Sequence, residues 1–267
     1  MTVLLELRDV SKAFGGVAAV AEVSFAVAEA SITALIGPNG AGKSTVFNLA
    51  SGFMAPDKGK ISFEGKDIAG LRSDGVARAG LVRVFQTARV LTRMTVLENM
   101  MLAAPAQPGE RLGLAWIAPR RVAAREAAVR REANEVLELI RLGHLADEYA
   151  GALSGGQRKL LELGRILMVK PRMLLLDEPL AGVAPVLAEQ LLEHISMLRA
   201  ERGITICVIE HDMNLVMTLS DRVIVMDEGR VIADGTPQAV QRDARVIEAY
   251  LGRLEGAEPT DIAPAAS

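Results

Sequence analysis

A run of nine residues, GPNGAGKST from Gly37 to Thr45, constrains this chain more than any other feature. It fits the phosphate-loop pattern G-x-x-x-x-G-K-[ST], follows the apolar stretch SITALIG and leads into TVFNLASG, so strand, loop and helix are predicted in that order. Glycines let such a loop turn tightly enough to aim backbone N–H groups inward, and the following helix offers its positive end to the same anion. Asn39, Gly40, Gly42 and Thr45 complete the predicted cradle. Lys43 is expected to reach the β- and γ-phosphates, and Ser44 to give a hydroxyl oxygen to Mg²⁺, a hard cation that keeps some of its waters.

A second signal is RMLLLDEP, where an apolar strand ends in the adjacent carboxylates Asp177 and Glu178. Ligands in parallel α/β sheets sit beyond the carboxyl ends of strands, so both acids are expected beside the phosphate loop. Asp177 is expected to hold Mg²⁺ through water, and Glu178 to orient and deprotonate the water that attacks the γ-phosphate. A third signal, LSGGQ from Leu153 to Gln157, opens the amphipathic stretch RKLLELGRILM. Ser154, Gly155, Gly156 and Gln157 at a helix start make another anion-binding corner. Two phosphate grips far apart in one sequence fit an arrangement of two copies packed head to tail with ATP between them.

Composition narrows the setting. Half of the 267 residues are hydrophobic, yet no stretch approaches the ~20 uninterrupted apolar residues of a membrane-spanning helix. A net charge of −3 provides no global field for nucleic acid, so no nucleic-acid partner is expected. The one cysteine, Cys207, lies in the apolar run ITICVIE, which rules out an internal disulfide framework and predicts a buried core thiol. The first residues, MTVLLELRDVSKAF, place charges where a secretory signal needs an apolar run, so the expected compartment is the cytoplasm.

Along the chain, Val3 to Phe14 and Val17 to Ala30 read as strands around the turn signal Gly15-Gly16. From Thr95 to about Lys170 the texture becomes helical, with a charged amphipathic stretch from Arg120 to Leu142. The strand–helix alternation then resumes through ITICVIE and RVIVMDEG. The expected fold class is α/β: a mixed-sheet nucleotide-binding core with an N-terminal antiparallel β section and an inserted α-helical lobe. One domain over 1–252 is expected, with the core about 1–86 and 171–252, the lobe about 87–170, and a disordered tail at 253–267.

With these three motifs together, the sequence resembles the ABC transporter ATPase family from about Leu4 to Gly252. The resemblance implies ATP and Mg²⁺ as ligands and hydrolysis of ATP as the activity. It implies that Gln86 in RVFQT touches Mg²⁺ and links the core to the helical lobe, that His211 in VIEHD contacts the γ-phosphate, and that the ring of Phe14 stacks on adenine. It also implies transmembrane permease partners, a second ATPase subunit (a sister chain or another copy), an extracytoplasmic substrate-binding protein engaged indirectly, and a peripheral place on the inner face of the membrane.

Several stretches resemble one branch, the importers of leucine, isoleucine and valine: VRVFQTARVLTRMTVLENMMLA, the insertion before Arg120, EPLAGVAP, IEHDMNLVMTLSDRVIVMDEGRVIADGTP and VIEAYLG. EPLAGVAP carries Ala184 where the common family loop has an aspartate, a departure shared with that branch. The lipopolysaccharide-export branch shares IEHD but resembles the chain less over Ala104 to Pro119, and urea or amide importers are a further alternative.

Overall fold

The computed structural model describes residues 2–84, 90–105, 119–181, 183 and 185–251. Gln86, Ala184 and the tail at 253–267 lie outside them. The chain divides into two compact units, one of Met1–Arg72 with Cys207–Ser267 and the other of Ser73–Ile206.

In the first unit, β1 (Val3–Phe14) and β2 (Val17–Ala28) form an antiparallel hairpin whose last pair is Phe14 opposite Val17. β4 (Lys58–Phe63) pairs with the other edge of β1, and the short β5 (Lys66–Asp67) completes a sheet of order β2-β1-β4-β5. This is the antiparallel section expected from the alternating sequence. β2 stops at Ala28, two residues earlier than the pattern suggests, because Ala30 turns into the left-handed region at φ 54°.

β3 (Ile32–Ile36) is buried at all five positions, as the apolar run ITALI requires of a strand covered on both faces. It leads through the phosphate loop into α1 (Lys43–Ala50). It runs parallel to β9 (Arg222–Asp227), and β10 (Arg230–Gly235) returns antiparallel beside β9, so this sheet is mixed. The Asp221 carboxylate accepts from the Ile32 N–H at 2.8 Å and fixes where β3 begins. β8 (Thr205–Ile209) is buried throughout and carries Cys207, whose thiol burial pushes up to about 12, in keeping with a core role.

In the second unit, the short α2 (Ser73–Ala79) precedes β6 (Leu81–Val84), which runs parallel to β7 (Met173–Asp177), with Arg83 opposite Leu175 and Val84 opposite Leu176. The helical part is built by α3 (Val96–Ala103), α4 (Pro119–Leu139) and α5 (Gly155–Leu167), with α3 packed on both others. Thr95 and Glu98 form a reciprocal capping box at the start of α3. Asn99 is fully buried, and its amide accepts from the Leu91 N–H at 2.9 Å while donating to the Leu91 and Thr95 carbonyls at 3.0 and 2.9 Å. A buried amide satisfied in this way fixes the turn before α3 instead of destabilising the core. α4 ends three residues before Leu142, where Arg141 adopts φ 58°. A further helix, α6 (Pro185–Arg202), follows β7. The first unit then closes with α7 (Met213–Leu219), α8 (Pro237–Gln241) and α9 (Ala244–Leu251).

Candidate nucleotide site

The phosphate loop leaves β3 at Gly37 and enters α1 at Lys43. Two of its glycines are required by close approach. Gly37 has φ 145°, and a Cβ there would lie 2.0 Å from the Met226 carbonyl oxygen; at Gly42, φ 97°, it would lie 2.4 Å from the Ala19 carbonyl. The loop is therefore seated against β9 on one side and β2 on the other. The N-cap of α1 is Gly42, which has no side chain with which to cap the helix. Lys43 is 6% exposed, and its Nζ donates to the carbonyls of Gly37 at 2.7 Å and Pro38 at 2.9 Å. The lysine thus closes the loop on itself, at the position where phosphate oxygens would compete for its protons. Asn39, Gly40 and Ser44 are exposed, and Thr45 is half-buried.

Phe14 stands at the tip of the hairpin whose β2 strand touches Gly42 through Ala19, and it is 48% exposed, leaving ring surface open to solvent. Lys12 lies over the ring at 5.9 Å from its centroid and pairs with Asp57 at 2.7 Å. That ammonium, then the Ala13 N–H, holds the Asp57 carboxyl below its ordinary range. The same unit places Tyr250, on α9, against the loop: burial pushes its phenol up, opposed by a hydrogen bond with the Gly37 backbone. His211 is exposed between the end of β8 and α7, whose N-cap Asp212 accepts from the Asn214 and Leu215 N–H groups at 2.9 and 3.3 Å.

The second unit brings Asp177, Glu178, Arg83 and Lys159 together. Asp177 closes β7, and its Oδ2 accepts from Arg83 Nη2 at 2.6 Å. Glu178 is half-buried at φ 49°, a left-handed conformation that costs a residue with a side chain about 1–3 kcal/mol. The turn after it is held by Lys159 of α5, whose Nζ donates to the carbonyls of Pro179 at 3.1 Å and Ala181 at 3.0 Å. At the head of α5, Ser154 Oγ accepts from the Gln157 N–H at 3.2 Å and Gln157 Oε1 accepts from the Ser154 N–H at 2.9 Å. Ser154 and Gly155 face solvent, and nothing lies within 4 Å of a Cβ built at Gly155.

Sequence reasoning singled out neither Arg83, Lys159, Lys12 nor Tyr250. Their only local signal is a charged or aromatic residue inside or beside a motif. Lys159→Met is expected to speed amide exchange at Leu180 and Ala181 about tenfold or more in hydrogen–deuterium exchange, since even one charge-assisted hydrogen bond contributes about 1.5–3 kcal/mol.

The chain belongs to the ABC transporter family, which it matches over residues 20–181. It is an ATP-binding cassette, the ATPase class of such transporters. Residues 230–254 further match the branched-chain amino acid ATP-binding cassette transporter family. The chain is 41% identical over 251 residues to the high-affinity branched-chain amino acid transport ATP-binding protein BraF of Pseudomonas aeruginosa, covering 93% of this chain and 98% of that one. It is 41% identical over 251 residues, with the same coverages, to the corresponding protein LivG of Escherichia coli. A crystal structure of an ATP-binding cassette of an ABC transporter in its ADP conformation superposes with a TM-score of 0.79 at 37% identity, covering 94% of this chain and all of the other. A nucleotide-free cassette superposes equally well, with a TM-score of 0.79, at 40% identity, covering 93% of this chain and 99% of the other.

Proposed function

We propose that this chain is the ATP-hydrolysing motor of an importer for branched-chain amino acids, acting through separate membrane permeases. The observation that carries the reading is similarity to ATP-binding proteins of that transport class across nearly the whole chain, joined to the branch-specific match at 230–254. On this reading, 1–252 is one cassette with a helical lobe at about 87–170.

The phosphate loop and Lys43 bind the β- and γ-phosphates, and the outer face of Phe14 receives adenine, with Lys12 fixing the ring from the other face. Glu178 takes a proton from the attacking water as its oxygen bonds to the γ-phosphorus and the bond to the β–γ bridging oxygen breaks, releasing ADP. His211 contacts the γ-phosphate. Ser154, Gly155, Gly156 and Gln157 grip the nucleotide of the facing cassette, which requires the Ser154–Gln157 cap to be shared with phosphate oxygens.

Mg²⁺ would be held by Ser44, Asp177 and Gln86, where it neutralises charge on the phosphates. The chemistry of the donors fits this ion: a hydroxyl, a carboxylate and an amide carbonyl each offer oxygen, the ligand atom a hard cation prefers. Such a sparse set suits a cation that keeps its waters and takes its remaining ligands from nucleotide phosphates.

Among the described residues no helix is long and apolar enough to cross a membrane. A peripheral position on the inner face, bound to permeases and paired with a sister ATPase, with a substrate-binding protein acting on the far side, completes the proposal. Purification of the tagged chain from gently solubilised membranes, followed by mass spectrometry, tests it. Two hydrophobic permeases, a second ATPase and an amino-acid-binding protein are expected. Recovery of lipopolysaccharide-export subunits, or reproducible absence of any membrane partner, overturns the import reading.

A further inference from the structure

Arg83 occupies the third position of β6, a strand otherwise made of Leu81, Val82 and Val84. It lies opposite Leu175 of the parallel strand β7, and side chains two residues apart on a strand share a face, so the guanidinium is directed along that face to Asp177. The resulting ion pair, 2.6 Å long, has side chains only 9% and 16% exposed. A guanidinium cannot lose its proton at any physiological pH, and at this burial its field is weakly screened. The acid proposed to hold the divalent cation therefore already has a fixed positive charge paired with one of its oxygens.

We propose that Arg83 is a positioning residue that sets the affinity of the nucleotide site for its divalent cation. It orients the Asp177 carboxylate while opposing the second positive centre that this carboxylate must serve. The proposal rests on the reading of Asp177 as a magnesium ligand. Of the two effects of Arg83, repulsion is the larger, because a dication doubles the Coulomb term whereas a single hydrogen bond supplies the orientation. The arrangement keeps metal binding weak until the triphosphate adds its own negative charge, so cation and nucleotide are taken up together.

The test uses the full chain and a fluorescent ATP analogue, whose affinity is measured in EDTA and again with saturating Mg²⁺. The ratio of the two affinities is the gain due to metal. Arg83→Gln, which keeps a donor and removes the charge, is expected to raise that gain roughly tenfold while leaving affinity in EDTA within about twofold of the parent. Arg83→Lys, which keeps the charge, is expected to retain the parent gain, and also guards against a Gln variant that folds poorly. An unchanged or smaller gain in Arg83→Gln, with the gain lost in Asp177→Asn, overturns the role of Arg83 alone. An unchanged gain in Asp177→Asn overturns the metal reading and this proposal with it.

Discussion

Glu178→Gln is expected to hydrolyse ATP roughly 10²- to 10⁴-fold more slowly than the parent chain while binding nucleotide with unchanged affinity. The amide preserves size and one acceptor oxygen but cannot take the proton of the attacking water, so the loss falls on the chemical step. It should appear in kcat with little change in KM. Steady-state phosphate release together with equilibrium binding of a fluorescent nucleotide separates the two quantities. Near-parental turnover would remove Glu178 from the mechanism. The left-handed backbone at this residue is unaffected by the exchange, which makes it a cleaner probe than alanine.

Gly37→Ala is expected to be the most damaging single-carbon change in the phosphate loop. The added Cβ would lie 2.0 Å from the Met226 carbonyl oxygen, an atom held in β9 by its pairing with its neighbours, so relief requires parting the loop from the sheet. Backbone clashes of this kind fall in the range above about 4 kcal/mol that single substitutions seldom reach. For a chain of this size that corresponds to a melting temperature lower by roughly 10 °C or more. Thermal melts without nucleotide read this effect independently of binding, and a loss below about 2 °C would show that the loop can move aside. At Gly40, where nothing lies within 4 Å of an added Cβ, the only penalty of alanine is its φ of 82°.

The phosphate loop was legible because phosphate chemistry limits which residues can stand there. Gly37 and Gly42 announce themselves by spacing, and the structure supplies the reason, a carbonyl oxygen from a neighbouring strand at each. Ser154 and Gln157 were legible for a similar reason, since a helix start followed by a side chain able to reach back is a local pattern. Strand and helix order followed from periodicity, and differences of a few residues arose where a single residue such as Ala30 or Arg141 turns left-handed without glycine to signal it.

Long-range pairings were not legible. Arg83 and Asp177 are 94 residues apart, and no local pattern records that a charge inside LVRVFQ will be matched across two strands. Lys159 reads in sequence as part of the polar face of an amphipathic helix, yet its ammonium secures the turn after Glu178. Side chains with long stems hide such contacts, because the same residue serves equally well in water.

The contact between Tyr250 and Gly37 joins two segments of the chain that match different families, residues 20–181 the ABC transporter family and residues 230–254 the branched-chain amino acid branch. The loop belongs to the machinery common to transporters of many cargoes, whereas Tyr250 lies in the segment that matches the branched-chain family. A change at Tyr250 would therefore alter a contact at the first glycine of the loop from a position about two hundred residues outside the phosphate-loop motif.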